Sequence, residues 1–435
     1  MPNKNIFCNT PWYELHIYWD GSLGICCQES HKLYSPNDKQ YNISTMSINE
    51  WFNSEPVQKF RKQILGDNTL SQCSRCYLEE AHGGNSRRLK SNQKSVIFTK
   101  TAFNDSFNQS PGYQHFSNIK TNTHPIDIHI DLGNFCNLAC KMCNAESSST
   151  IASQQVRWGI ESSRQYLGTD WTKNTEVWNN FKKQLLDIPN LNNIHFMGGE
   201  TLLTRRFDDL VDTLIEHNRF EVCFSFVTNG TVFREELMNK LRHFKRVGIE
   251  ISIETIDEHN AYQRQGTDTA LVLENIKKYQ QWCNNSSITV ALRPAPSVLS
   301  VGYYTELLQY ALDNQFVVKS LLCYTPRYLS IEILPKEIKS KYQKKYKEFL
   351  SQFSEICADG DYNASDPNNI KIIIKEQAEM CLSALQTPTP PDSELQLANM
   401  VAHCQRWDQV YRYNARLLYP EYQNIFDLFN YDISN

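Results

Sequence analysis

Three cysteines fall within eight residues, Cys136, Cys140 and Cys143, in the stretch Asp131-Leu-Gly-Asn-Phe-Cys-Asn-Leu-Ala-Cys-Lys-Met-Cys143. Three thiolates can hold three irons of a [4Fe–4S] cube and leave the fourth iron open to a further ligand. Tetrahedral zinc wants a fourth protein ligand, and no His or Cys follows closely. Spacing therefore ranks iron–sulfur first, with zinc or a chance grouping behind it. A second set precedes it: Cys8, Cys26 and the pair Cys73-Ser-Arg-Cys76. Four thiols make a complete shell for another cluster, with structural zinc or core cysteines as the alternatives. Cys27 is an extra thiol that can stand in for Cys26. The chain has fourteen cysteines, and Cys223, Cys283, Cys323, Cys357, Cys381 and Cys404 are scattered singly. Lone cysteines of this kind are small buried hydrophobes first.

Loops that present thiols need rigid elements behind them. Pro125–Leu132 alternates apolar and polar residues and reads as a strand that delivers the tight trio. Asn193-Ile-His-Phe-Met is a second strand, running into Gly198-Gly199-Glu200. Glycines there permit close backbone approach, and the acid can accept from an ammonium. Val222–Val227 leads into the polar turn Thr228-Asn229-Gly230, and Gly248–Glu254 alternates again. Helical spacing covers Arg205–His217 and Arg234–Phe244. Strand and helix alternate from about residue 125 to 320, which predicts an α/β fold with a parallel, barrel-like sheet. Ligands of such sheets bind at the carboxyl ends of strands, where Cys136, Glu200, Thr228 and Ser252 fall. Ahead of it, Tyr13–Trp19, Asp20-Gly21 and Leu23–Cys27 read as a hairpin that brings Cys8 and Cys26 toward one end. Helical stretches follow at Ser47–Phe52 and Pro56–Leu65. Behind the sheet come helices over Pro335–Phe353 and Glu394–Arg412, the latter with an apolar stripe of Leu395, Leu397, Met400, Val401, Cys404 and Trp407. The expected organisation is a Cys-rich module over 1–89, a connector over 90–124, the sheet domain over 125–325 and a helical region over 326–435.

Composition sets limits. A formal net charge of −4 argues against a general nucleic-acid binder. Apolar residues at 40% and aromatics at 12% suffice for a real core. No run of about 18 uncharged apolar residues predicts a membrane span. The first residues lack a basic stretch followed by an apolar core, so a cytoplasmic protein is expected.

Cys-x3-Cys-x2-Cys after a first strand, with Gly-Gly-Glu after a second, resembles the radical S-adenosylmethionine (SAM) superfamily. The position before the third cysteine, often aromatic in that family, is Met142 here. The resemblance implies a partial (β/α)6 TIM-like barrel, in which the open iron binds SAM. It implies that Gly198, Gly199 and Glu200 hold the SAM amino group, that Ser252 contacts the ribose and that Arg264 pairs with the carboxylate. Thr228 and Asn229 are secondary SAM-site residues. Cys8-x12-Gly21-x4-Cys26 with Cys73-x2-Cys76 resembles the twitch module, a short form of the SPASM domain that carries an auxiliary [4Fe–4S] cluster. Most relatives place that module after the barrel; here it comes first, and it is expected over the barrel mouth.

Together these imply two [4Fe–4S] clusters, SAM, and an electron donor such as flavodoxin or ferredoxin. The expected enzyme removes a substrate hydrogen with a 5′-deoxyadenosyl radical. Its expected substrate is a ribosomally made precursor peptide, epimerised or crosslinked, with Cys323, Cys357, Cys381 or Cys404 as a thiol hydrogen donor. The alternatives are a radical enzyme acting on a small molecule or sugar, and a non-catalytic iron–sulfur sensor. An intact Gly-Gly-Glu motif disfavours the sensor.

Overall fold

Strands with alternating patterns have two unlike faces, and the sheet sorts its residues by them. The computed structural model describes residues 6–29, 32–34, 40–66, 68–92, 124–168, 170–283, 287–353 and 367–433. One sheet contains β1 (Glu14–Ile17), β2 (Leu23–Gly24), β3 (Asp127–Asp131), β5 (Asn193–Met197), β6 (Cys223–Thr228), β7 (Arg246–Ile251), β9 (Ile288–Leu292) and β10 (Val317–Val318). Their order is β10-β9-β7-β6-β5-β3-β1-β2, and β4 (Ala139–Cys140) pairs separately with β8 (Arg264–Gln265). From β3 to β10 the strands are parallel and follow chain order. Helices Thr175–Leu186, Arg205–Glu216, Glu235–Leu241 and Thr269–Trp282 lie in the crossovers. This is the expected α/β architecture of six parallel strands, and no pairing closes it into a barrel among the described residues.

The helix-facing side holds Ile128, Ile130, Ile194, Phe196, Phe224, Phe226, Ile249 and Ile251, all buried in the main core. The opposite side is polar although buried. His129 pairs in register with His195, and His195 with Ser225. The His195 Nδ1 lies 2.7 Å from Ser225 Oγ, and the two histidine rings are 4.7 Å apart. Farther along this face, Glu250 accepts from Arg293 and, at 2.8 Å, from Lys319.

The front hairpin forms, but not as a separate sheet. β1 pairs antiparallel with β2 and parallel with β3, with His16 opposite His129. The pairing joins residues more than a hundred positions apart, so nothing local encodes it. Instead of resting over the carboxyl ends of the barrel strands, the module extends the sheet, and Cys27 lies beside Glu14 and His129. The helix Ser74–Ala81 reaches the far side of the sheet domain. There His82 Nε2 meets Glu332 Oε1 at 2.6 Å, and Tyr324 Oη lies 3.1 Å from His82 Nδ1. Most of the predicted connector 90–124 lies outside the described residues.

The C-terminal helices are Lys336–Ser351, Pro367–Gln386 and Ser393–Tyr411. Five members of the predicted stripe on the last one are buried, but Leu395 is 61% exposed. It sits in the first turn, ahead of the contacts that Leu397 begins. No described helix is long and apolar enough to cross a membrane.

The His82–Glu332 contact has a pH signature. Its hydrogen bond to Glu332 raises the His82 pKa, and the same bond lowers that of Glu332. The contribution is complete below the ordinary histidine value of 6.5 and is lost as pH rises through the raised value. On the acid side it is lost as pH falls through the lowered Glu332 value. Thermal melts of wild type should therefore lose about 1 kcal/mol or less as pH climbs above the histidine range. His82→Gln should lack that decline; an identical decline in the variant would show that another group causes it.

Candidate functional site

The trio occupies the loop after β3, and the loop is held by its own backbone and by asparagines. Asn134 Nδ2 donates to Ala145 O at 3.2 Å and to Tyr166 O at 2.8 Å. Thr150 Oγ1 donates to Cys136 O at 2.6 Å, and Ser148 Oγ to Leu138 O at 2.7 Å. β4 carries Cys140 opposite Arg264 of β8. The Arg264 guanidinium donates through Nε and Nη2 to Glu254 Oε1, at 3.0 and 2.7 Å, and its Nη1 lies 3.6 Å from Cys140 Sγ. Burial, then the neighbouring thiols, push the Cys136 thiol up to about 12. Cys143 is pushed to about 12 by burial and by Cys140. Burial raises Cys140 too, against the pull of Arg264. Three thiols that repel one another as anions, beside a cation, are a donor set suited to a multivalent soft metal centre.

Gly198, Gly199 and Glu200 close on this loop. Both glycines have positive φ, +72° and +55°. A Cβ at Gly199 would sit 2.4 Å from the Phe135 carbonyl oxygen, and one at Gly198 would sit 2.7 Å from Asp131 Cβ. The Glu200 N–H donates to Phe135 O at 2.7 Å, and the Gly199 N–H to Ser147 O at 3.2 Å. The buried Glu200 carboxylate has partners within the protein. Thr228 Oγ1 donates to Oε1 at 2.7 Å and the Asn229 N–H to Oε2 at 2.6 Å, while Leu202 N–H also reaches Oε1 at 3.2 Å. Burial raises its pKa and these donors oppose the rise. Asn229 Nδ2 then bridges to Asn137 Oδ1 at 2.8 Å, on the thiol loop. Ser252 N–H donates to Thr228 O at 2.9 Å. Thus Cys136, Cys140, Cys143, Gly198, Gly199, Glu200, Thr228, Asn229, Ser252 and Arg264 belong to one connected region at the carboxyl ends of β3, β5, β6 and β7.

Sequence reading missed Glu254, Asn134 and Asn137. Glu254 was within reach, since it ends the alternating run Gly248–Glu254 two residues past Ser252. The asparagines carry no such signal.

In the front module, Cys8, Cys26, Cys73 and Cys76 line one cavity together with Arg87 and Arg88. Cys73 is the N-cap residue of the Ser74–Ala81 helix and Cys76 lies in its first turn, where the helix dipole favours thiolates. Burial, with Cys8 and Cys76 nearby, pushes Cys73 up to about 12. Burial pushes Cys76 to about 11. As thiolates these four repel one another; a shared metal centre removes that conflict. Cys27 is separate. Its thiol lies within 4.8 Å of ligand atoms of Glu14 and His129. Burial would raise its pKa, but the Arg87 guanidinium and His129 bring it to about 7. Arg87 Nη2 bonds Glu14 and lies 2.9 Å from His129 Nε2. Against burial, Glu14 above all holds the His129 pKa up to about 10, so the group contains two cationic side chains, Arg87 and His129.

Of the scattered thiols, Cys381 and Cys404 are fully buried and Cys323 is 7% exposed, whereas Cys223 and Cys283 are half-buried. Cys357 lies outside the described residues.

Gly199→Ala should displace the thiol loop, because the new methyl meets a backbone oxygen and the positive φ is strained as well. We expect near-complete loss of iron at Cys136–Cys143 with the front module retained. Iron analysis showing full loading in this variant would refute the backbone clamp.

Residues 130–293 match the family model described as the radical SAM superfamily, and residues 8–77 match the iron–sulfur cluster-binding domain SPASM. No curated protein matches the chain. Among solved structures, it is similar to native anSMEcpe with bound AdoMet at 20% identity and a TM-score of 0.39, covering 52% of this chain and 62% of that one. It is also similar to Streptococcus suis SuiB bound to precursor peptide SuiA, at 12% identity and a TM-score of 0.35, covering 68% and 63%. The chain thus spans about three fifths of the length of these structures. The segment that matches the radical SAM superfamily thus carries the thiol loop and the Gly-Gly-Glu turn, and the segment that matches the iron–sulfur cluster-binding domain precedes it.

Proposed function

We propose that this chain is a radical SAM enzyme acting on a polypeptide. Cys136, Cys140 and Cys143 would hold the SAM-binding [4Fe–4S] cluster, and Cys8, Cys26, Cys73 and Cys76 an auxiliary one. When bound and reduced, the first cluster supplies the electron that cleaves SAM to methionine and a 5′-deoxyadenosyl radical, which takes a substrate hydrogen. The observation that carries this reading is the clamp of Gly199 and Glu200 on the thiol loop, with the Arg264 guanidinium at Cys140. A protein that merely holds a cluster needs neither.

The chain's own groups divide the work. Gly198 and Gly199 would let backbone approach the SAM amino group closely. Glu200 keeps the β5 and β6 turns together, and its carboxylate would also accept from that ammonium. Ser252 would contact the ribose. Arg264, held by Glu254, would pair with the SAM carboxylate. An external donor, flavodoxin or ferredoxin, supplies the electron.

The polypeptide reading rests on the joining of the two matched domains, a pairing common in the maturation of ribosomally made peptides. Epimerisation and crosslinking separate by mass: turnover in D2O adds one deuterium at an inverted Cα, whereas a crosslink loses two hydrogens. Of Cys323, Cys381 and Cys404, only Cys323 keeps any exposure, which makes it the candidate for hydrogen return. Cys381 and Cys404 are sealed in the core.

Anaerobically reconstituted protein should contain about eight irons per chain, two cubes of four. Replacing Cys136, Cys140 and Cys143 by Ala should abolish 5′-deoxyadenosine formation with dithionite and SAM while leaving about four irons. Undiminished SAM cleavage in that variant would end this reading.

A Cys73→Ala, Cys76→Ala variant should still cleave SAM unproductively and fail to convert substrate. Normal conversion would reduce the front module to a structural extension of the sheet.

A further inference from the structure

Lys141 stands between Cys140 and Cys143 in sequence, and its side chain is wholly enclosed. Its ammonium lies 3.5 Å from Asp408 Oδ1, and both side chains are 0% exposed. The Tyr262 ring centroid is 4.2 Å away and that of Trp407 5.8 Å. Among the described residues, neither Lys141 Nζ nor Asp408 Oδ1 has a hydrogen-bond partner. Asp408 Oδ2, by contrast, accepts from Tyr262 Oη at 3.3 Å, Ala415 N–H at 2.9 Å and Tyr431 Oη at 2.5 Å.

Asp408 and Trp407 belong to the C-terminal helix Ser393–Tyr411, which packs on the thiol loop. Trp407 shares a small core with Ala139, Ala145, Ile151 and Ala152, and Cys143 packs at its edge. The Lys141 N–H donates to Gln263 O at 2.8 Å, next to Arg264. The tail is thus built into the wall of the SAM site. An apolar pair could fasten it without the desolvation cost that two buried charges carry. Keeping charges here places an ammonium on the residue that follows Cys140 in the loop, with its counter-charge on the C-terminal helix.

We infer that Lys141 and Asp408 are a positioning pair: they lock the C-terminal helix to the three-thiol loop and set the electrostatic field at that loop. The inference rests on the proposal that Cys136, Cys140 and Cys143 hold the SAM-binding cluster. A positive charge nearby stabilises a cluster that gains an electron, and a negative charge does the reverse.

The test is the midpoint potential of the cluster whose electron paramagnetic resonance signal shifts on adding SAM, measured in the full-length reconstituted protein. Lys141→Met, which leaves the carboxylate alone, should move the midpoint downward. Asp408→Asn, which leaves the ammonium alone, should move it upward. The double variant should return near the wild-type value and recover the iron that either single variant loses. Loss of packing alone moves both single variants the same way, so same-sign shifts or no shifts overturn the inference. If the single variants do not fold, the double variant decides: full loop iron supports the pairing and loss of it refutes the pairing. If wild type shows no signal that responds to SAM, the ligand assignment itself is wrong, a result distinct from failure of the pair.

Discussion

A contact between two backbones governs the geometry of this molecule. The turn after β5 comes so close to the loop after β3 that a single methyl at Gly199 would overlap the Phe135 carbonyl oxygen. Everything at the carboxyl end of the sheet follows from keeping that approach. The glycines need positive φ, so they cannot hold the turn by side chains, and Glu200 does so instead. Its carboxylate gathers a hydroxyl from Thr228 and two backbone N–H groups. Asn229 carries the connection on to Asn137. A buried carboxylate with several donors is stable where a bare one is not. One acid therefore joins two strand ends to the loop that bears the thiols.

The parts legible in the sequence were those encoded by short-range pattern. Period-two alternation located β3, β5, β6 and β7 to within two or three residues. Cysteine spacing grouped the two thiol sets, and Gly-Gly after a strand announced a close approach. What escaped depends on distant partners. The parallel pairing of β1 with β3 joins Glu14–Ile17 to Asp127–Ile130 across an intervening segment of varied composition. The alternation of Tyr13–Trp19 was visible, but it cannot say which neighbour a strand will choose. Glu254 was passed over because a carboxylate two residues past Ser252 looked like an ordinary strand residue. Leu395 was assigned to a buried stripe because periodicity alone does not show where the packing partner begins.

Cys26 and Cys27 show how one peptide bond separates two environments. Cys26 lines the four-thiol cavity, where burial and neighbouring anions hold its pKa well above normal. Cys27 meets Arg87 and His129 across the face of the sheet, where those two groups overcome burial. The sequence leaves open which of them joins the cavity. The geometry favours Cys26, which lines that cavity with Cys8, Cys73 and Cys76, while Cys27 is engaged with Arg87 and His129.

The polar face of the sheet follows the same logic on a larger scale. Histidines and carboxylates facing inward cost stability unless they are paired. Here they are paired: His195 with Ser225 on the next strand, Glu250 with Arg293 and Lys319, and Glu14 with Arg87. The apolar residues of the same strands build the core on the other side. Alternation thus separates stability from chemistry strand by strand. The module at the front joins that scheme by contributing β1, which brings Glu14 and His16 to the polar face and Leu15 and Ile17 to the core. Its thiols are consequently fixed relative to the loop thiols through a shared sheet. A hinged linker would let the two sets drift apart, whereas parallel strand pairing holds them in one register.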